Sequence, residues 1–433
     1  MKIIVPITIT ETALQRTIVP EADYAAYSTA TTYNDADTVT LTSGVHHNYE
    51  SLQSPNLNHV PQTETAWWLD LGATNRWKAF DEYIETQTEN PAQITYELAF
   101  GTADSLHLGN MDCDAVEITL CTPGSNLITN GEFCADTSGW AAYNSAVLTV
   151  EAGGAVGNYL KILGGSPAGW HGATWTLNGI DATATYRFRG LVSRIEAGTV
   201  TTYKVGIGTA AGETTLADLN GETQPGALAW NTPELSCSVI PGATAIVITI
   251  GYVRNNTAID YLGYDRISFI KMTEIYNTAI ALGAADPATQ ITKLSRTDLV
   301  GAANSVLSLD FTNPGTLAKV GMIKIGNYRD VGTTLREPEV GFIDYSEWTT
   351  NTQGSLVTAG ATTDTMTITV SIANSLVDGA LRVLRYYQST PAVFVADGTY
   401  SALQIYGFIR SFSLVYKYLN HSVYRIKIDG KTT

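Results

Sequence analysis

Sugar binding asks for flat apolar rings against the C–H face of a pyranose, with amide or carboxylate groups nearby to meet hydroxyls. The stretch from Gly165 to Gly172 offers such a ring: Trp170 and His171 sit among glycines, where packing them into a core is awkward. Trp170 is therefore the first choice for a stacking ring, with His171 beside it. Trp175 shares a face with Leu177 in an extended chain, which places it either in a core or on a binding face. Tyr252 completes the candidate glycan-binding set, with Tyr143 and Trp230 as weaker members.

Other chemistry is thin. No HExxH, GxSxG, Walker loop or CxxC pair occurs, and Gly206, Gly208 and Gly212 miss the dinucleotide spacing. His46, His47 and His59 bring no third ligand at helical or hairpin spacing, so they read as exposed turn histidines. Glu337, Glu339, Asp344 and Glu347 could pair as acid and base across a glycosidic bond, but acidic residues crowd any acidic surface and are read that way here. No catalytic residue is assigned, no cofactor is required, and the chain is expected not to be an enzyme. Cys113, Cys121, Cys134 and Cys237 lack zinc spacing and read as free, largely buried thiols of a chain made in a reducing cytosol.

The elements that must hold these residues are mostly strands. Between 125 and 272, short apolar runs recur at 159–163, 173–177, 186–192, 203–207, 245–250 and 267–270, separated by Gly, Asn, Asp or Pro corners. Such spacing marks an antiparallel sandwich, with Trp140 as a core plug. Before it, Ile3, Val5, Ile7 and Ile9 alternate on one strand face, residues 38–41 continue the extended pattern, and Trp67, Trp68 and Trp77 favour a sandwich core over a sugar platform. After it, 375–387 carries apolar residues at helical spacing, and strands are expected at 366–370, 392–395, 402–406, 411–416 and 423–428. One helix on an antiparallel sheet is a small α+β unit suited to contact between subunits.

Composition bounds the rest. A chain of 433 residues with 44% hydrophobic content suffices for two to four domains with buried cores. A formal charge of −16 argues against nucleic acid, whose binding draws on clustered Lys and Arg. No run of 18 apolar residues exists to insert a helix in a membrane, and Met1 to Pro6 is too short for a signal-peptide core.

Asn126, Leu127, Ile128, Asn130, Gly131, Phe133, Gly139 and Trp140, closed by Tyr264, Asp265, Ile267, Ser268 and Phe269, resemble the CenC-type carbohydrate-binding modules. That resemblance implies a galactose-binding-like jelly roll over 125–272 and a structural calcium with Glu132 and Asp265 as its oxygen ligands. The flanks resemble structural proteins of bacteriophage tails: residues 19–24, 47–52, 68–72, 74–77, Phe80 and Asp81 on one side, 330–335, 340–345 and 406–412 on the other. In tail proteins of that type the strand like 114–120 runs on, after a modest loop, into the segment like 307–311. The sugar-module-like unit here would be an insertion into a discontinuous host β-sandwich, 1–124 with 273–340, followed by an α+β assembly domain, 341–433. The expectation is a mainly β tail-tip or baseplate protein made in the host cytoplasm and carried in the virion tail, with a purely architectural tail decoration or a secreted carbohydrate-active enzyme with an ancillary binding module as the alternatives. It would be a homo-oligomer partnered by other tail subunits and by host surface polysaccharide.

Overall fold

The computed structural model describes residues 1–21, 23–155, 157–164, 169–194, 202–222, 230, 234–254, 261–283, 290–351, 354–358, 360, 362–416 and 419–431. Residues 165–168 of the glycine-rich stretch and Ala22 of the 19–24 string lie outside the described residues, as does the side chain of Glu347. The chain is mainly β and divides into two compact units, Met1–Cys121 with Ile275–Thr433, and Thr122–Glu274.

The spine of the first unit is one long strand, Val306–Asp330, which serves several partners in turn. It pairs antiparallel with Thr88–Ala99 along 306–320, with Ser105–Asp112 along 319–326 and with Lys2–Pro6 along 326–330. The strand from Ala115 pairs with it along 306–312. Period-2 alternation then aligns three apolar rows: Leu307, Leu309 and Phe311 lie opposite Leu98, Tyr96 and Ile94 on one side and Leu120, Ile118 and Val116 on the other. All nine are fully buried, each worth about 1.5–3 kcal/mol of apolar transfer. Trp77 joins this core, and Trp68 plugs a smaller one with Tyr33, Val39 and Tyr49; Trp67 lies half-buried against the His59 ring at 3.8 Å.

The C-terminal region does not close on its own. Lys2–Pro6 pairs on its other edge with Ala392–Val395, and Met1 and Ile3 enter the core formed by Met366, Ile368, Ile426 and Ile428. The boundary set at 340/341 from sequence falls inside a strand, Glu339–Asp344. The reason is hydrogen bonding: Ala392–Val395 would otherwise present an open edge on the side that Lys2–Pro6 fills. The helix expected over 375–387 forms as Val377–Tyr386 after a 3₁₀ turn, Asn374–Leu376, and buries Val377, Ala380 and Leu384. Of the cysteines, only Cys113 is fully buried, Cys121 and Cys237 are partly buried and Cys134 is exposed, which corrects the expectation of largely buried thiols.

The second unit is a sandwich of two antiparallel sheets. One has the order Ala141–Tyr143, Gly169–Asn178, Ala245–Arg254, Thr202–Gly208, Ala217–Glu222. The other runs Val147–Ala152, Asn158–Leu163, the strand from Tyr261, Thr185–Arg194, Glu234–Val239. Ile162, Phe188, Val205, Ile248, Ile250, Leu262 and Phe269 fill the space between them with no exposure.

The motif at 126–140 is the clasp of this sandwich. Asn126 Oδ1 accepts the amides of Ile128 and Phe269, joining the first residues of the unit to its closing strand. A Cβ on Gly131 would stand 1.8 Å from the Ile267 carbonyl oxygen, while the Ile267 amide donates to Gly131 at 2.9 Å. Only glycine permits that approach. Asn130 Nδ2 donates to the Asp136 and Ser138 carbonyls, and the Trp140 indole donates to the Asn130 carbonyl at 2.9 Å, so the buried ring is also hydrogen-bonded.

Candidate functional site

Strand alternation sorts the candidate rings of the second unit into two rows. On Gly169–Asn178, His171, Ala173, Trp175 and Leu177 point to the core, whereas Trp170, Gly172, Thr174 and Thr176 point outward. The register carries both rows across the sheet: His171 lies opposite Tyr252, and Trp170 opposite Val253.

Three of the four glycan-binding candidates therefore belong to the inward row, which corrects their assignment. His171 and Tyr252 have no exposed surface and Trp175 is 9% exposed. His171 Nδ1 bonds the Asn144 carbonyl at 2.5 Å, and the Tyr252 hydroxyl accepts the Gly164 amide. Trp175 packs edge-on to Trp140 at 5.3 Å and leaves no room for a side chain at Gly139. Trp230 is buried too, donating to Gly153 and packing on Tyr159.

Trp170 is the exception. Its ring is half-buried and crosses the outer sheet face toward Gly206, where a Cβ would come within 2.6 Å of the indole. The cross-strand pair Gly172 and Gly251 likewise has no space for side chains. Bare backbone beneath is what lets a large ring lie on a sheet instead of standing off it. Tyr143, on the adjoining strand, meets Trp170 edge to face at 5.7 Å, and Lys204 places its ammonium 4.9 Å from the ring centre. Lys204, Asp218 and Asn220 lie on this same face, since Lys204 is paired with Asn220 and Gly206 with Asp218. Asn220 donates to Asp218 at 3.3 Å, and Lys204 approaches Asp218 at 3.9 Å. The turn after 208 folds back over one end: Gly212 donates to Thr249 Oγ1, and a Cβ on Gly212 would strike the Tyr143 hydroxyl.

A half-open aromatic plate bordered by an amide, a carboxylate and an ammonium can cover a pyranose face and bond its hydroxyls. Sequence reasoning named Trp170 and Tyr143 and missed Lys204, Asp218 and Asn220. Their signal was present: Tyr203, Val205 and Ile207 face inward, which sends Lys204, Gly206 and Gly208 to the other side.

The remaining sequence candidates resolve separately. Glu132 is exposed while Asp265 is completely buried and accepts the Arg266 amide at 2.7 Å, so the two carboxylates stand in unlike surroundings. Among the described residues no group of three or more His, Cys, Asp or Glu gathers to hold a metal. The histidines are not free turn residues, for each bonds its own carboxylate: His46, buried, to Glu21 at 2.8 Å, His47 to Asp70 at 3.0 Å, and His59 to Glu64. The His46 bond helps hold the Glu21 carboxyl below its ordinary range against the opposing effect of burial. Glu339 is ion-paired with Arg425 at 3.0 Å, and Asp344 accepts the Ser346 amide. Among the described residues no helix is long and apolar enough to cross a membrane.

No family model matches the chain, and no curated protein matches it. Solved structures do. The chain is 17% identical to an arabinose-bound α-L-arabinofuranosidase, covering 40% of this chain and 27% of that one at a TM-score of 0.27. It is 18% identical to a xylan-binding domain from CBM 22, covering 35% of this chain and 96% of that one at 0.25. It is 12% identical to the enzymatically active domain of bacteriophage CBA120 tailspike protein 4, covering 33% of this chain and 21% of that one at 0.24. The chain thus spans about a quarter of the arabinofuranosidase it matches.

Proposed function

We propose that this chain is a non-catalytic structural protein of a tailed-phage tail tip or baseplate. In this reading it assembles with other tail subunits, and with copies of itself, through its first unit and holds host surface polysaccharide on the outer sheet face of its second. The observation that carries the binding half is the plate of Trp170 and Tyr143 over side-chain-free backbone, edged by Lys204, Asp218 and Asn220. Lys204 serves as a movable cover, since its ammonium on a flexible stem leaves the ring when a sugar C–H face takes its place. The tail half rests on the sequence resemblance of the two flanks and on their sharing of one compact unit around the insertion. Weak affinity per copy suffices on a particle, because many copies raise avidity through effective concentration.

A glycan array probed with the full chain tests the binding half: hits are expected, and Trp170→Ala abolishes them. Uniform silence instead favours an architectural decoration, a reading supported by Lys204 over the ring and by the turn folded across one end of the face. Labelling intact particles with an antibody to this chain tests the tail half, with signal expected at the tail tip.

A further inference from the structure

We propose that copies of this chain join head to tail through two open strand edges of the first unit, Glu339–Asp344 of one copy pairing antiparallel with residues 410–415 of the next. This rests on the reading above that the first unit assembles with copies of itself, and it names the surface that does so. Four strands lie side by side in the order Glu339–Asp344, Thr362–Ala373, His421–Gly430, Gln404–Val415. Among the described residues the first of them pairs with Thr362–Ala373 alone. The last is flanked by Ala392–Val395 only as far as Gly407, and the Ile409 amide donates to the Tyr387 carbonyl. From Arg410 to Val415 its outer side therefore meets no strand among the described residues. Unpaired donors and acceptors along a strand edge are a template for another strand.

The two edges match in direction, face and charge. Every neighbouring pair in the four is antiparallel, so the first and last strands run oppositely and the ladder continues antiparallel from copy to copy. Val340 lies opposite buried Met366 and shares its face with Phe342, while Phe412 and Leu414 pack against the core that holds Met366. Val340 is 54% exposed and Phe342 71%, a row of apolar surface left at the sheet's rim. Setting Val340 against Leu414 and Phe342 against Phe412 continues the apolar row and brings exposed Asp344 to exposed Arg410, the extra residue of a bulge. A shift of two residues either way puts Asp344 against Phe412 or Phe342 against Arg410. Pairing Glu339–Asp344 with its own copy over its full length would set acid against acid at both ends, which leaves the head-to-tail arrangement.

That register carries a stagger. Through Met366 and Ile428, Val340 is level with Ile409 within one copy. Phe412 is level with Ile426 and would meet the partner's Phe342, so the level of Ile428 meets the partner's Asp344 instead of its Val340. The displacement is about one residue per strand, the ratio of an eight-stranded barrel of shear eight, whose strands tilt by about 36°. Head-to-tail pairing of this kind closes into a ring.

Light scattering on the full chain over a range of concentrations tests the junction. The native chain is expected to form one discrete oligomer, and Asp344→Arg or Arg410→Asp alone should each raise the concentration of half-dissociation about fivefold, by placing like charges opposite each other. The double variant, with the charges exchanged, should recover assembly, an outcome that simple damage to either strand would not give. Single variants that fold and assemble as the native chain does overturn this junction and leave self-assembly standing through another surface. A native chain that stays monomeric throughout overturns both. Should the charge variants fail to melt cooperatively, Phe342→Lys at its exposed position decides: loss of the oligomer supports the junction, and an unchanged oligomer overturns it.

Discussion

Trp170 and Trp175 occupy one strand of one sheet and have opposite fates. Trp175 faces inward, against Trp140 and Leu177, and its surroundings are side chains. Trp170 faces outward, and its surroundings are Gly206, Tyr143 and the ammonium of Lys204. The lesson is that residue type and flanking glycines do not distinguish a plug from a plate, whereas the parity of the strand does. The inward row belongs to the core, and the outward row holds the half-buried ring of Trp170.

The largest expected effect lies in neither row but in the clasp that joins the start of the unit to its closing strand. Gly131→Val puts a branched side chain where the Ile267 carbonyl oxygen lies 1.8 Å from the Cβ position. The second unit should then fail to fold, with loss of its cooperative melting transition, while the first unit still melts. Next in size is Trp175→Ala, which empties an aromatic volume in the core and should cost about 3–5 kcal/mol, read by chemical denaturation. Trp170→Ala on the other face should change stability by less than about 1 kcal/mol. A Trp170 variant as damaging as its inward neighbour would erase the distinction between the rows.

A buried polar group supplies the third test, this time in the first unit. Burial, aided by Lys293 and Lys324, pushes His107 down to about 3 from its ordinary 6.5. Above pH 6.5 the imidazole is neutral both folded and unfolded and contributes no pH dependence. Below it the unfolded chain takes up a proton that the folded chain refuses, so stability falls as pH drops toward 3. Between pH 6.5 and about pH 4 the loss should approach about 3 kcal/mol, and His107→Gln should flatten that slope. An unchanged slope in the variant would place the acid sensitivity elsewhere.

Much of this was legible from residue order. The strand runs expected at 159–163, 173–177, 186–192, 203–207 and 245–250 all lie within observed strands, because period-2 alternation is strong where one face is buried. Val147–Ala152 and Glu234–Val239 were not seen beforehand, since sheet edges carry weaker alternation. At the site, its glycine neighbours in sequence point to Trp170, but the glycine its ring lies against is Gly206, on another strand. His171 and Tyr252 were drawn in by residue type alone. Only the register, which sets them opposite each other on the inward face, could remove them. The N-terminal strand was likewise visible, but not that its two edges would join Val306–Asp330 to Ala392–Val395, a pairing that spans nearly the whole chain.

Lys204 gives the smallest effect and the finest discrimination. Its ammonium gains about 0.5–1 kcal/mol over the indole, and its ion pair with half-exposed Asp218 at 3.9 Å adds little in water. Lys204→Ala should therefore leave the melting of the second unit nearly unchanged. Sugar binding is different, because an occupant must first lift the lysine from the plate. Removing that cover should tighten binding severalfold, about the cation–π energy returned, in a calorimetric titration of whichever glycan the array identifies. Weakened binding would mean that the ammonium bonds the sugar directly and would make Lys204 a recognition residue in its own right. Either outcome supports the proposed binding at the outward row, and an affinity indifferent to both Trp170 and Lys204 would overturn it.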